Sequence, residues 1–263
     1  MYIVDSYLLA VIFCIITMLG WGSWANTLKM TPKNWEFPLY YWDYSIGLIL
    51  TTLLFGFTFG SSGTEGRSFL ADLSQANFSA LTSAFIGGVI FNLSNLLIVA
   101  ATAIAGLAVA FPIAVGLALV IGVVVNYIAT PLGNPVLLFA GLALVVLAIL
   151  VDTAAYKKLP QEKKGDQKKG ILISIVSGIL MGFFYRFVAA SMVTNFAVPD
   201  AGLLTPYSAM FVFTIGIFIS NFVFNTWFMY KPVTGGKVSY SDYFRLGTPK
   251  RSEEHTSELQ SLA

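Results

Sequence analysis

The chain has 263 residues, of which 57% are hydrophobic and 11% charged, and its formal net charge is +2. With a mean hydropathy of +0.78, this composition excludes a soluble globular domain, because one core cannot bury so much apolar surface and lipid must cover the rest. The nearly balanced charge argues against a nucleic-acid partner, which requires a concentrated basic surface. We therefore expect an all-α integral membrane protein of the inner or plasma membrane.

Seven stretches are long and apolar enough to cross a hydrocarbon core about 30 Å thick, which takes about 20 helical residues. In chain order they are Tyr7–Trp24, Leu39–Gly60, Phe78–Ala101, Ala105–Ile128, Val136–Val151, Ile171–Ala190 and Leu203–Phe228. The first lacks a cationic leader and a cleavage site, so we expect it to remain in the mature protein. Almost no residues separate the third span from the fourth, which predicts a tight helical hairpin.

Basic residues are distributed unequally between the two sides that seven spans define. Nearly all lysines, including the run at 157–169, fall in loops on one side, and Arg67 is alone on the other. Because lysine and arginine near helix ends stay on the cytoplasmic side, we expect the N-terminus outside and the 157–169 linker in the cytoplasm. The charge run is interpreted as a topological anchor.

The spans after the linker begin the pattern of the first five again. Gly178 and Gly182 accompany an aromatic cluster in the sixth span, as Gly20 and Gly22 do in the first. An odd number of spans separates the copies, so the second is inverted in the membrane, as in many secondary transporters. The predicted organisation is a first repeat at 1–156, a linker at 157–169 and the start of a second repeat at 170–250, truncated from a ten-helix, five-plus-five fold.

The hydrophilic residues after this point, 251–263, are expected to be non-native. Residues 251–261 resemble the conceptual translation of a sequencing-library adapter, and we exclude them from fold reasoning. The alternative is a genuine soluble tail. If the tail is an artefact, the only histidine, His255, is not native, and about three helices are absent.

No motif for catalysis or direct ATP coupling is present. The run Gly235-Gly236-Lys237 lacks the leading glycine and the following hydroxyl of a phosphate-binding loop. No metal-ligand cluster or nucleophile and base pair appears, and the single cysteine, Cys14, lies in an apolar run where packing is its expected role. We therefore expect no cofactor, no metal and no enzymatic activity.

Polar and aromatic side chains of the first four spans are predicted to converge in the inner half of the membrane. A rise of about 1.5 Å per residue puts Asp43 about 7 Å beyond the start of its helix, and polar groups at such depth usually face a cavity or another helix. Proline inside a helix frees a backbone carbonyl. The predicted lining of a solute cavity is Trp21, Trp24, Tyr41, Asp43, Asn92, Asn95 and Pro112.

Each of these residues also has a purely structural interpretation. The tryptophans and Tyr41 fit an interfacial aromatic belt, Asn92 and Asn95 fit hydrogen bonding between helices, and Asp43 fits a position in interfacial water. These alternatives remain open from the sequence.

Arg186 lies inside the sixth span, where a cation at the membrane centre costs on the order of 3 kcal/mol. It lies about 24 Å along its helix, close to the outer boundary. Two interpretations remain: its side chain extends to the outer headgroups, or it forms a gate or an anion contact.

Several short motifs together resemble a known family. They are Met1-Tyr2-Ile3-Val4-Asp5-Ser6, Tyr41-Trp42-Asp43-Tyr44, Leu73-Ser74-Gln75-Ala76-Asn77, Gly87-Gly88 with Asn92-Leu93-Ser94-Asn95-Leu96, and Gly106-Leu107-Ala108-Val109. The set resembles ureide permease-like members of the drug/metabolite transporter superfamily. That resemblance implies ten helices in two inverted halves and uptake of ureides, nucleobases or sugars, often coupled to protons. If protons are coupled, Asp43 in the Tyr-x-Asp-Tyr pattern is the candidate carrier.

The leading hypothesis is a secondary transporter, or permease, for a small uncharged polar solute. Its expected partners are that solute, the lipid bilayer and, if transport is proton-coupled, protons. An exporter of drugs or metabolites on the same fold and a non-transporting membrane scaffold are the alternatives.

Overall fold

The structure is a computed structural model that describes residues 1–27, 30–32, 34–156, 166–233 and 235–247. Across these ranges the secondary structure is helical, with one isolated bridge between Met192 and Leu204. The helices are α1 (Tyr7–Thr27), α2 (Phe37–Phe57), α3 (Phe69–Gln75), α4 (Phe78–Ala105), α5 (Leu107–Ala129), α6 (Pro135–Tyr156), α7 (Gln167–Ser191), α8 (Pro206–Asn221), α9 (Phe224–Tyr230) and α10 (Tyr240–Leu246). The all-α class is confirmed.

Each of the seven predicted spans coincides with a helix, the last with α8 and α9 together. Five segments have the length and composition to cross a membrane: Phe78–Ala105, Val109–Ala129, Pro135–Ala155, Gln167–Ser191 and Pro206–Tyr230. A shorter apolar segment, Tyr7–Ser23, lies in α1. The multi-pass class is therefore confirmed, whereas the count of seven spans remains a prediction. The predicted linker is described only from Asp166, and the predicted tail, with His255, lies outside the described residues.

One residue, Gly106, joins α4 to α5. Its φ of +83° lies in the left-handed region that favours glycine, and its backbone N–H donates to Thr102 at 3.0 Å. The tight hairpin predicted from the sequence is thus present.

α4 lies at the centre of the bundle and packs against α7, α8 and α5. Glycines allow these helices to approach closely. A Cβ atom at Gly88 of α4 would collide with the carbonyl oxygen of Phe213 and would lie 3.1 Å from Gly216 of α8, and a Cβ at Gly178 of α7 would lie 2.7 Å from the Ala114 carbonyl oxygen of α5. At the periphery, α6 packs mainly on α5, and most described side chains of α1 are exposed.

One end of the bundle, here called the Arg67 end, joins residues 59–76 to residues 192–207. The Arg67 Nε lies 2.8 Å from the Oδ1 of Asp72, whose side chain is fully buried. The other carboxylate oxygen accepts hydrogen bonds from the backbone N–H of Thr205 at 2.7 Å and from its hydroxyl at 2.9 Å. The remaining guanidinium groups donate to the carbonyl oxygens of Pro199 at 3.0 Å, Asp200 at 2.9 Å and Leu203 at 2.7 Å.

The opposite end, here called the Asp43 end, joins the described residues of 34–43 to those of 229–247. An apolar cluster there consists of Leu39, Trp42, Met229 and Val238. The Glu36 carboxylate accepts the backbone N–H of Gly236 at 3.1 Å. Tyr243 and Leu246 of α10 pack against this cluster and hold the short helix beside the start of α2.

Candidate solute-binding cavity

Two adjoining cavities lie against α1, α4 and α7. The first has a volume of about 620 Å³ and is completed by α2 and α8, and the second has a volume of about 690 Å³ and is completed by α5. They share four lining residues, which are Trp21, Asn95, Phe184 and Tyr185. Volumes of about 300 to 1,000 Å³ are typical of small-molecule sites.

The walls of both cavities are mostly apolar and aromatic. The polar side chains in the first are Tyr44, Thr52, Asn95, Tyr185 and Thr214, and Asn126 and Ser177 join Asn95 and Tyr185 in the second. Among the described residues that line them, none is Asp, Glu, Lys, Arg or His. Such a site accommodates a neutral molecule better than an ion, because a buried charge without a partner is costly.

Several lining polar groups already bond within the protein. The hydroxyl oxygens of Thr52 and Thr214 lie 3.0 Å apart, the Asn126 amide donates to the Gly122 carbonyl oxygen at 2.7 Å, and the Ser177 hydroxyl donates to the Ser94 carbonyl oxygen at 2.9 Å. Asn95 contributes a hydrogen-bond acceptor to the wall, because its side-chain carbonyl has no hydrogen-bond donor among the described residues.

A hydrogen-bonded chain connects Asn95 to α2 and α8. The Asn95 amide donates to the Tyr41 hydroxyl oxygen at 3.0 Å, and that hydroxyl donates to the carbonyl oxygen of Asn92 at 2.8 Å. Asn92 is fully buried and lines neither cavity. Its amide donates to the Ile217 carbonyl oxygen at 3.2 Å, the Ser220 hydroxyl at 2.8 Å and the Asn221 side-chain oxygen at 2.9 Å. Hydrogen bonding between helices, one of the two sequence interpretations, thus describes the position of Asn92.

Trp21 projects from α1 at the boundary between the two cavities. Its side chain is 53% exposed, and its ring packs edge to face on Phe91 with 6.0 Å between the centroids. An exposed indole face at a cavity wall can stack on a flat solute. The side chain of Trp24 lies outside the described part of the chain.

The three other predicted site residues lie apart from these cavities. Pro112 is inside α5, where its neighbour Phe111 lines the second cavity but Pro112 does not. Arg186 is partly buried on α7, lines neither cavity, and forms no hydrogen bond or ion pair with any other described residue.

Asp43 is exposed at the Asp43 end and accepts two neutral donors. The indole N–H of Trp35 donates to one carboxylate oxygen at 3.0 Å, and the hydroxyl of Tyr243 donates to the other at 2.6 Å. Partial burial and then the hydrogen bond to this carboxylate raise the pKa of Tyr243 to about 12. No group of three or more His, Cys, Asp and Glu residues in the described ranges could hold a metal ion.

Sequence reasoning missed the α2 and α8 contributions to the first cavity. Tyr44, Leu48 and Thr52 repeat every four residues, which marks one face of a helix. That spacing could have identified this face of α2 from the sequence. It did not identify Thr214 as the partner of Thr52, because two residues 162 positions apart meet only through the packing of α2 on α8.

Comparison with known proteins also indicates a membrane transporter. A family model described as "Ureide permease" matches residues 40–169. Ureide permease 3 and ureide permease 1 of Arabidopsis thaliana are each 26% identical, over 89% of this chain and 76% and 75% of their own lengths. Probable ureide permease A3 of Vigna unguiculata is 31% identical, over 57% of this chain and 41% of its own. No solved structure matches significantly. The chain is thus similar to ureide permeases over most of its length, and it is a multi-pass membrane transporter, not an enzyme.

Proposed function

We propose that this protein carries a small, uncharged solute of the ureide class across the membrane, and that the two adjoining cavities hold it. The observation that carries the proposal is the wall chemistry: apolar and aromatic surfaces, a few polar groups and no charged side chain among the described lining residues. A neutral cyclic urea derivative loses far less hydration there than an ion. The relatives are named for ureides.

The proposed contacts divide between stacking and hydrogen bonding. Trp21 offers an exposed indole face to a flat solute, and Asn95 and Tyr44 offer polar groups from α4 and α2. Tyr41 and Asn92 support Asn95 from behind the wall. Trp24 remains a proposed contact on the sequence alone.

The proposal also includes the remaining predictions from the sequence. Arg186 is proposed as a gate or anion contact near one membrane boundary. Pro112 is proposed as a point at which α5 can bend. The unequal lysine distribution favours a cytoplasmic Asp43 end, with the Arg67 end and the N-terminus outside. We also propose the division into repeats at 1–156 and 170–250, in the five-plus-five inverted arrangement of drug/metabolite transporters, with access alternating as the halves rock.

Uptake into proteoliposomes tests the proposed substrate class. We expect the full-length protein to accumulate radiolabelled hydantoin, a neutral cyclic ureide, above protein-free vesicles. Neutral hydantoin-5-acetamide should compete, and hydantoin-5-acetate, of similar size but anionic, should not. Equal competition by the two compounds, or no uptake above the empty vesicles, would contradict the proposal. Efflux of lipophilic cations would instead indicate the exporter, which the wall chemistry disfavours.

Proton coupling through Asp43 is a separate part of the proposal. The carboxylate is exposed and follows two aromatic residues of α2, next to Tyr44 in the first cavity wall. Its protonation would therefore act on the cavity through α2. We expect an inward proton gradient to drive accumulation by the wild type and to have no effect in Asp43→Asn, with uptake by exchange retained. Gradient-driven accumulation in the variant would remove Asp43 from this role.

A further inference from the structure

The hydrogen bonds behind the cavity wall run in one direction, which starts at Asn92. One branch of the Asn92 side chain faces the backbone carbonyl of Ile217, which only accepts hydrogen bonds. The Ser220 hydroxyl donates its proton to the same carbonyl oxygen at 3.0 Å, so its oxygen accepts a hydrogen bond from Asn92. The branch on this side must therefore be the amide NH₂, and the carbonyl oxygen of Asn92 must face Tyr41. The contacts with Ile217 and Ser220 set this orientation, in which the amide nitrogen of Asn221 is buried without a partner among the described residues.

The direction then passes through Tyr41 to Asn95. A phenol has one proton, and the carbonyl of Asn92 accepts it. The Tyr41 oxygen can then only accept from Asn95, so the branch of Asn95 that lies 3.0 Å away must be the NH₂. The carbonyl oxygen of Asn95 lies on the other branch. Asn95 lines both cavities, and no hydrogen bond among the described residues uses that oxygen.

We propose that Asn95 presents a fixed hydrogen-bond acceptor to the solute, and that Tyr41 and Asn92 are positioning residues that hold this acceptor in orientation. The inference rests on the proposed function and deepens it, since it adds a selection rule. Ureides with a free N–H donate to the acceptor, whereas their N-alkylated analogues cannot and leave it unpaired. A site built to hydrogen-bond a solute N–H group rejects an analogue without that group, because the acceptor in the site is then left unpaired.

The selection rule depends on Tyr41 because an asparagine side chain is nearly symmetric in shape. Without the Tyr41 hydroxyl, rotation by a half turn would present NH₂ to the cavity in place of the carbonyl. The site would then bind solutes that offer a hydrogen-bond donor and solutes that offer an acceptor with nearly equal affinity. Tyr41 is fully buried, so its hydroxyl does not contact the solute, and its hydrogen bond to a lining residue is the one with Asn95.

The test compares the binding of hydantoin with that of 1,3-dimethylhydantoin to the full-length protein in detergent, by isothermal titration calorimetry. We expect the wild type to bind hydantoin about tenfold more tightly, the effect of roughly one hydrogen bond. In Tyr41→Phe and in Asn95→Leu the ratio of the two dissociation constants should fall close to one. Asn95→Leu keeps the side-chain volume, so it serves if Tyr41→Phe does not fold.

Ser94→Ala is the matched control. It removes a buried hydroxyl from the same helix, one that bonds to Ser177 of α7 and does not line either cavity. It should lower stability and leave the binding ratio unchanged, which separates selection from general destabilisation.

The outcomes distinguish the two proposals. A wild type that binds the two compounds equally, or a Tyr41→Phe variant that keeps the tenfold preference, overturns the positioning inference alone. A wild type that binds neither compound overturns the ureide site and this inference with it. Tight, selective binding without uptake into vesicles would overturn the transport proposal and support the inference.

Discussion

The two ends of the helical bundle hold their carboxylates in opposite ways. At the Arg67 end, Asp72 is fully buried, pairs with Arg67 and accepts two further bonds from Thr205. At the Asp43 end, Asp43 is exposed, and its donors among the described residues are the neutral side chains of Trp35 and Tyr243. A buried carboxylate requires a cation and several donors, whereas an exposed one is stabilised by water. The first arrangement joins two loops at one end of the bundle, and the second leaves a carboxylate in contact with solvent.

The largest expected effect is at the Arg67 end. Arg67→Ala leaves the Asp72 carboxylate buried without its cation and the carbonyl oxygens of Pro199 and Asp200 without their donor, and we expect a loss of about 3–5 kcal/mol in the free energy of unfolding. Thermal and denaturant unfolding in detergent, followed by circular dichroism, measures this loss. Asp43→Asn is the matched control and should change stability by about 0.5 kcal/mol or less. Equal losses in the two variants would show that the ends do not differ.

Removal of one hydroxyl donor at each end gives a sharper comparison. Thr205→Val deletes the hydroxyl that donates to Asp72, and Tyr243→Phe deletes the one that donates to Asp43, each with little change in shape. Hydrogen bonds to charged groups contribute about 1.5–3 kcal/mol when buried, so we expect a loss in that range for Thr205→Val. For Tyr243→Phe, where water replaces the donor, we expect less than about 1 kcal/mol. The reverse order would contradict the assignment of the ends.

The smallest expected effect on stability is at high pH, at the Asp43 end. The pKa of Tyr243 is raised from 10.0 to about 12, so the folded protein keeps a proton that the unfolded chain releases. The contribution of this group is complete below pH 10 and is lost as the pH rises through about 12. Phenolate absorbance, taken as the difference between the wild type and Tyr243→Phe, should show this late titration. A difference spectrum with an ordinary tyrosine midpoint would contradict the hydrogen bond to Asp43.

The helices were predictable from sequence because a membrane span is a property of local composition. Long apolar runs fixed where α4, α5, α6 and α7 lie, and the lack of spacing around Gly106 fixed the hairpin. The partners of these helices were not predictable, because they depend on contacts distant in the chain. The pairing of Arg67 with Asp72 is local, but its bonds to residues 199–203 join two loops that only the folded bundle brings together.

The candidate site was predictable in part for the same reason. Depth along a helix identified Asn95 and Trp21, which line both cavities. Depth does not specify which face of a helix a residue occupies. Asn92 and Asn95 are three residues apart on α4, yet one is buried against α8 and the other lines the cavity. Asp43, similarly, is two residues beyond Tyr41 on α2 and points away from the network that Tyr41 joins.

Gly88 and Gly216 bring the backbones of α4 and α8 into direct contact. No side chain lies between the two backbones at that point, and a Cβ at Gly88 would collide with a carbonyl oxygen of the opposite helix. Rotation of either helix about its own axis would drive side chains into this contact, so rocking of the two proposed repeats would pivot at this point. α1, which carries Trp21 at the junction of the two cavities, makes the fewest packing contacts of the helices that line them, so a small displacement of α1 changes the shape of both cavities at the least packing cost.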